Sequence, residues 1–435
     1  MTDMRTNKRR IAALGVVAAL ALGAAACGTG STDGSSTEKI TLVVDTFGKF
    51  GFEDLYKQYE AAHPNITISE RATEGLDNYW PKLTQFLTAG GGAGDVVAIE
   101  EGIMPYYKSE AQAFVDLADY GAESLKSSFL PWKWEQGIAA DGKVVGLGTD
   151  IGGLAMCYRT DLFAQAGLPT DRDEVSKLWP TWAEFVATGK KFKQAKPGTA
   201  FVDSPTQILN SSLMQAAGAT NNLTYFDESG QLVIESNPAV KTAWELATEV
   251  IGAGLTSKLA TWSPEWSAGF KNGAFATTAC PSWMLGIIES NSGPENANKW
   301  DVARIPGDGG NWGGSFLAVP TQSEHPKEAA ELAKFLTSPA SHVAAFKAVG
   351  ALPSDVKSLS DPAFLDLKNA YFNDAPVGKI FGEGAQRIKP VFVGLKNQAV
   401  RERAVEPAIL DYANGKISAD DAWKRAVSAA KAKAK

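Results

Sequence analysis

The sequence predicts an α/β protein with a largely parallel sheet, long enough for two domains. Three observations carry that reading. The chain has 435 residues, 44% hydrophobic and 21% charged, which suits a globular protein and excludes collagen-like, coiled-coil and wholly disordered chains. From Lys39 onward, short β-patterned runs alternate with helical ones. No linker interrupts the chain after residue 38, so the domains are expected to be joined by several crossings.

The first element is an address. Arg5, Lys8, Arg9 and Arg10 precede an uncharged stretch from Ile11 to Ala26 that is too short to span a bilayer comfortably, so residues 1–26 read as a signal peptide. Leu22-Gly23-Ala24-Ala25-Ala26-Cys27 resembles a bacterial lipoprotein cleavage site, with Ala24 where leucine is usual. Lipid on Cys27 is the leading expectation, and ordinary cleavage near Ala26 is the alternative. Residues 27–38 hold no large apolar side chain and suit a flexible tether between membrane and domain. Without residues 1–26, 38 basic residues face 48 acidic ones, a net charge of −10 that suits an exported domain.

The next elements follow from period. Ile40, Leu42 and Val44 alternate with more polar neighbours as a strand; Phe52 to Ala62 reads as an amphipathic helix stopping before His63-Pro64. Ile66 and Ile68 mark a second strand, Asp77 to Thr88 a helix, and Val96 to Ile99 a buried third strand. Asn237-Pro238, Ser263-Pro264, Ser338-Pro339 and Asp361-Pro362 each set a capping side chain before a first-turn proline. Long helical patterns fill 181–195, 238–253, 326–336 and 402–430.

Several chemistries are excluded or weak. The basic residues gather on no motif, so nucleic acid is not an expected partner. His63, His325 and His342 lie far apart without ligand spacing, so no metal site is expected. The Gly90–Asp95 cluster lacks the Gly-Lys-Ser/Thr of a phosphate loop and reads as a turn; no cofactor is expected. No serine sits in a nucleophile elbow. Glu100 and Glu101 are adjacent and point to opposite faces of a strand, so they cannot flank one glycosidic bond together. Cys157 and Cys280 both fall in strand-like runs, where an oxidising exterior permits a disulfide and two separate buried thiols are the alternative.

Tryptophan stands out. Trp80, Trp262, Trp266, Trp283 and Trp312 fall at predicted loop or helix-start positions, Trp312 on a glycine-rich loop at 307–315. Trp132, Trp134, Trp179, Trp182, Trp244, Trp300 and Trp423 are expected in the core. Sugars present apolar C–H faces and hydroxyl edges, so a site for them needs flat rings beside polar groups. The candidate rings are Trp283, Trp312, Trp266 and Trp262. Asp45, Asp77, Glu101, Asp150 and Arg387 are candidate polar partners, several at strand C-termini or loops where open α/β sheets bind ligands. Phe47 and Ser315 complete the set.

Several stretches then carry a resemblance: Gly94-Asp95-Val96-Val97-Ala98-Ile99-Glu100, Ala155 to Phe163 followed by Ala166-Gly167-Leu168-Pro169, Pro180 to Phe185, Pro281-Ser282-Trp283-Met284, Gly313 to Pro320 and Gly350 to Ser354. In this order the chain resembles the extracellular solute-binding lipoproteins of bacterial ABC sugar importers, the maltose-binding-like family. Within it, the chain is similar to actinobacterial members that bind plant-derived di- and oligosaccharides. The run Tyr371 to Phe381 is similar to the form in cellobiose-type binders. The resemblance implies a two-lobed periplasmic-binding-protein-like fold of type II, with residues 39–149 plus 304–350 as one lobe and 150–303 plus 351–435 as the other. It further implies Trp283 as the stacking ring, Asp150 at the first crossing and Gly313-Gly314-Ser315 at the return. The implied protein is a monomer without catalysis, held outside the cell by lipid on Cys27, that passes sugar to permease subunits. Two rivals are a receptor for a non-sugar solute on the same fold and a glycoside-acting enzyme using Glu101 and Asp150.

Overall fold

The computed structural model describes residues 39–435 apart from Pro197 and Asp308. The expected signal peptide, Cys27 and the tether lie outside the described residues.

Among the described residues nine strands follow in order: β1 Ile40–Phe47, β2 Ile66–Thr73, β3 Val96–Glu100, β4 Leu147–Arg159, β5 Ala200–Val202, β6 Phe275–Pro281, β7 Trp300–Ala303, β8 Asn311–Ala318 and β9 Leu352–Pro353. The alternation expected in β1 is present, with Leu42 and Val44 fully buried. β3 is apolar from Val96 to Ile99 because both its faces are covered. Val96 and Ala98 face one core with Leu42, Leu317 and Leu336. Val97 and Ile99 face another with Met104, Tyr107 and Phe316.

β4 gives the fold its two lobes. Its first half, from Leu147 to Ile151, pairs with β8 and β9 in a sheet that continues through β3 and β1 to β2. Its second half, from Leu154 to Arg159, lies between β6 and β7 in a second sheet, with β5 beyond β6. All 13 residues of β4 are buried, and Lys39–Lys435 cluster as one unit around it. The sheet is mixed, not largely parallel. β2, β1 and β3 are parallel, as are β5 and β6, but the crossing strands β4, β8 and β9 pair antiparallel because the chain passes from one sheet to the other and returns.

The helix-start signals act as read. Asn237, Ser263, Ser338 and Asp361 each accept a hydrogen bond from the first turn of their helix, and Thr181 and Glu184 form a reciprocal capping box. The single helix expected over 402–430 is instead three pieces: a π-helical turn Arg401–Val405, then Glu406–Ala413 and Ala419–Ala434. Gly415, at φ 72°, ends one piece and the Ser418 side chain caps the next.

Candidate ligand-binding site

Register brings the ends of several strands to one line. Glu100 of β3 lies opposite Ser315 of β8, Ser315 opposite Asp150 of β4, and Asp150 opposite Pro353 of β9. In the second sheet Leu154 lies opposite Pro281, so the end of β6 and the following Trp283 open at the same crossing. The candidate site is therefore the region where β4 and β8 cross from one sheet to the other, at the carboxyl ends of β3 and β6.

Behind this line is a buried charge network. Lys133, on the helix Pro131–Gln136, is 0% exposed; its Nζ donates to Glu101 Oε2 at 2.9 Å and lies 3.9 Å over the Phe316 ring. Asn311 donates from Nδ2 to the other Glu101 oxygen at 3.0 Å and accepts from the Gly152 N–H at 2.8 Å. Burial raises the Asp150 carboxyl, against the pull of Lys133 and a hydrogen bond from Thr149 at 2.7 Å. One step further, His342 stands between Asp355 Oδ2 at 2.8 Å and Gly148 O at 3.1 Å. Burial raises Asp355, but bonds from His342 and Ser358 outweigh it and hold that carboxyl below its ordinary value.

The tryptophans form a ladder. Trp283 donates from Nε1 to Trp312 O at 3.2 Å, and their rings meet edge to face at 6.1 Å. The indole lies against bare backbone: a Cβ on Gly152 would come 3.0 Å from Trp283 Nε1, and one on Gly313 3.3 Å. Gly152 also faces Trp312 O, which a Cβ would meet at 1.9 Å, so only glycine lets β4 and β8 approach here. Trp312 is therefore not on a permissive loop but in β8, and the neighbouring glycines serve close strand approach. Trp262 stacks on Trp283 at 6.0 Å and 26°, and Trp266 packs on Trp262 at 5.1 Å. Trp283 and Trp312 are part-buried, while Trp262 is 53% exposed. Trp266, expected at the ligand, is 0% exposed with its Nε1 bonded to Asp203 Oδ2 at 2.8 Å, so it supports the ladder from the core.

Sequence reasoning did not single out a set of buried polar groups beyond the second sheet. On the helix Pro205–Ala219, Gln207, Asn210 and Ser211 share one face and are buried; Gln207 Oε1, Asn210 Oδ1 and Ser211 Oγ have no hydrogen-bond partner among the described residues. Asn210 donates to Glu406 Oε1 at 2.7 Å, and Gln207 to Ala279 O of β6 at 2.7 Å. The π turn brings Arg401 3.1 Å from Glu402 and leaves Arg401 Nε without a hydrogen-bond partner. The helix Asn397–Val400 and the π turn come close to the end of β3. A Cβ on Gly102 would lie 3.0 Å from Gln398 Oε1, and burial pushes the Glu100 carboxyl up to about 7 against the attraction of Arg401. The spacing of Gln207, Asn210 and Ser211 at i, i+3 and i+4 was a signal available in the sequence.

A family model described as bacterial extracellular solute-binding protein matches residues 54–370. The chain belongs to this family. The lactose-binding protein of Rhizobium radiobacter is 29% identical to this solute-binding protein over 301 residues, 67% of this chain and 66% of that one. The chain spans less than two thirds of the length of the curated relatives it matches. A crystal structure of an extracellular solute-binding protein of family 1 is 41% identical, with a TM-score of 0.79 over 91% of this chain and all of that one. The ABC transporter-associated binding protein of B. animalis subsp. lactis Bl-04, in complex with β-1,6-galactobiose, shares the fold at 21% identity, with a TM-score of 0.74 over 91% and 98% of the two chains.

The remaining expected site residues of this solute-binding protein are spread more widely. Asp45, at the end of β1, is buried and held by Arg71 at 2.6 and 2.7 Å and by the Gly94 N–H at 2.6 Å. Phe47 packs on Phe50 and Tyr79. Asp77 is exposed in the first turn of the helix Leu76–Ala89; burial raises the Glu402 carboxyl, Arg401 pulls it down, and Asp77 adds to the rise. Arg387 is exposed in the turn just past the helix Val377–Ala385 and bonds back to Glu383 on that helix. Ser315 is buried in β8 between Glu100 and Asp150. Cys157 and Cys280 form a disulfide. Among the described residues no group of His, Cys, Asp and Glu could hold a metal ion, and no helix is long and apolar enough to cross a membrane.

Proposed function

We propose that this solute-binding protein captures a disaccharide or short oligosaccharide outside the cell and delivers it, unchanged, to the permease of an ABC importer. The observation that carries the reading is Trp283: a part-buried indole laid on bare glycine backbone at the crossing, with the orphaned polar atoms of Asn210 and Ser211 on the same lobe. A flat ring covers the apolar face of a sugar while amides and hydroxyls take its hydroxyls. The lactose-binding relative supports the sugar class.

In this reading the lobes divide at 149/150, 303/304 and 350/351, and a sugar touching both favours closure by its higher affinity for the closed state. The approach of Gln398 to Gly102 and of Arg401 to Glu100 suits such closure. Capture without chemistry is favoured over hydrolysis by Glu101 and Asp150, because Lys133 and Asn311 occupy both Glu101 oxygens. Lipid on Cys27 anchors the monomer to the outer face of the membrane. Cys27→Ser is expected to release a folded domain from the membrane fraction, and a variant processed and retained normally would contradict the anchor.

The test of function is calorimetric titration with α- and β-linked galactosides, glucosides and arabinooligosaccharides, followed by chromatography of the recovered ligand. Micromolar or tighter binding of an intact sugar is the expected outcome. Binding of peptides or polyamines instead, or recovery of cleaved sugar, would overturn it.

A further inference from the structure

His342 is a buried histidine with an acceptor against each ring nitrogen. It lies on the helix Pro339–Val349 and is 1% exposed. Nδ1 is 2.8 Å from Asp355 Oδ2, and Nε2 is 3.1 Å from the Gly148 carbonyl oxygen. A carbonyl oxygen only accepts, and so does an ionised carboxylate. Burial raises the Asp355 carboxyl, but the bonds from His342 and Ser358 hold it below its ordinary value, ionised at neutral pH. Both contacts are therefore hydrogen bonds only when each ring nitrogen carries a proton, which makes His342 an imidazolium.

The two acceptors belong to different crossing strands. Gly148 is in β4, two residues before Asp150, and Asp355 is two residues past the end of β9. β4 and β9 pair at Asp150 with Pro353 and at Ile151 with Leu352, a short ladder that His342 extends. Ser354, 0% exposed, joins the same point: its Oγ donates to Gly148 O at 2.8 Å and lies 3.4 Å from His342 Nε2. The Gly148 carbonyl thus takes one bond from the ring and one from the hydroxyl.

Losing one proton undoes both bonds. The Asp355 carboxylate keeps the proton on Nδ1, so a neutral ring turns a bare Nε2 toward the Gly148 carbonyl, lone pair against lone pair. The Ser354 hydroxyl is within reach of either atom and swings its proton to Nε2. The charges around the ring favour keeping the proton. Asp355 faces it from the start of the helix Val356–Ser360, and Asp150 from β4; burial raises Asp150, while Lys133, Thr149 and the His342 charge draw it down and Glu101 opposes them. Lys133 lies along Gly148, where a Cβ would come 2.9 Å from its stem, and the Phe129 ring stands edge-on to the imidazole at 6.1 Å. Other charged side chains on the helix of His342 and on the helices Met284–Ser292, Pro326–Leu336 and Val356–Ser360 are exposed or part-buried.

We propose that His342 is a proton-controlled tie between the crossing strands: charged, it clamps β4 to the chain leaving β9, and neutral, it loosens the crossing, so that sugar is held more tightly in acid than in alkaline medium. This regulation rests on the sugar reading above. The tie belongs to the arrangement in which Gln398 approaches Gly102, so weakening it disfavours the state that a sugar touching both lobes selects.

The test is calorimetric titration of the best-binding sugar from about pH 5 to about pH 8, where histidine ordinarily titrates, in the wild type, His342→Gln and Ser354→Ala, with ring-nitrogen NMR of the empty wild type over the same range. Glu100 and Asp203, both pushed up to about 7 by burial, titrate in this window, so the readout is the difference in pH dependence between wild type and variant. As pH rises, the wild type is expected to lose about fivefold more affinity than His342→Gln, the size of one ordinary hydrogen bond. Ser354→Ala is expected to fall between them. The ring of His342, assigned by elimination with His63→Gln and His325→Gln, is expected to carry both protons at the acid end and the Nδ1 proton alone at the alkaline end, which tests the tie even if His342→Gln folds poorly. Equal pH dependence in wild type and His342→Gln, with or without a uniform loss of affinity, overturns the inference, as does a ring that stays neutral throughout. A wild type that binds no sugar at any pH overturns the sugar reading instead, and the ring-nitrogen spectrum of the empty protein still decides whether the tie takes up and releases its proton.

Discussion

Lys133 Nζ lies 2.9 Å from Glu101 Oε2, with 0% and 6% of the two side chains exposed. The pair ties the helix Pro131–Gln136 to the end of β3, and through Asn311 and Phe316 to β8, at the point where the chain crosses between lobes. A buried ion pair is poor evidence for net stabilisation, but removing one partner leaves the other charge uncompensated. Lys133→Met is expected to cost about 3–5 kcal/mol in denaturant unfolding, and Lys133→Met/Glu101→Gln to recover part of it. A double variant as unstable as the sum of its parts would mean that the two groups do not compensate each other.

The disulfide should matter more than its two atoms suggest. Cys280 lies opposite Ala155, and Cys157 opposite Thr278, so the cysteines are diagonal neighbours on β4 and β6 with Cα atoms 5.5 Å apart. The bond closes a loop of sequence separation 123. Replacing both by alanine is expected to cost about 2–5 kcal/mol, chiefly by freeing the unfolded chain. Equal unfolding midpoints for wild type and double variant would contradict this.

Two carboxyls give the fold a pH signature. Burial pushes Glu100 and Asp203 up to about 7, from ordinary values of 4.5 and 3.8. Between those limits the folded protein holds protons that the unfolded chain has released, so these groups stabilise below the lower value and lose that contribution as pH rises through 7. Asp203→Asn removes one of them and keeps an oxygen for Trp266 and Thr278. Measured from pH 4 to 8, its stability relative to wild type is expected to improve with rising pH; a difference independent of pH would count against the buried acid.

Local elements were legible because local period determines them. Leu42 and Val44, the capped prolines and the helix Trp182–Ala195 all follow from neighbours within a few residues. The crossing was not, apart from the resemblance, because Asp150 finds its strand partners at Ser315 and Pro353, far along the chain. Trp262, Trp283 and Trp312 do come together, whereas Trp266 turned inward; its i, i+4 partner Phe270, also 0% exposed, was the sign of a buried helix face. Arg401 and Glu402 are aimed by a π turn, which shifts the helical register and leaves no mark in a 3.6-residue pattern. Nothing in composition or spacing marks Lys133 as a lysine with no exposed surface.

On the proposed function Trp283 binds ligand while the large core rings hold the fold. Trp244, 7% exposed and packed on Trp423 at 5.2 Å, is the matched core residue. The direct test is a pair of measurements on Trp283→Ala and Trp244→Ala: calorimetric titration of the best-binding sugar and denaturant unfolding of the empty protein. Trp283→Ala is expected to lose about 2 kcal/mol or more of binding, about thirtyfold in Kd, with little change in stability. Trp244→Ala is expected to lose about 3–5 kcal/mol of stability and little affinity. A Trp283→Ala protein that unfolds early yet binds sugar like the wild type would contradict the account.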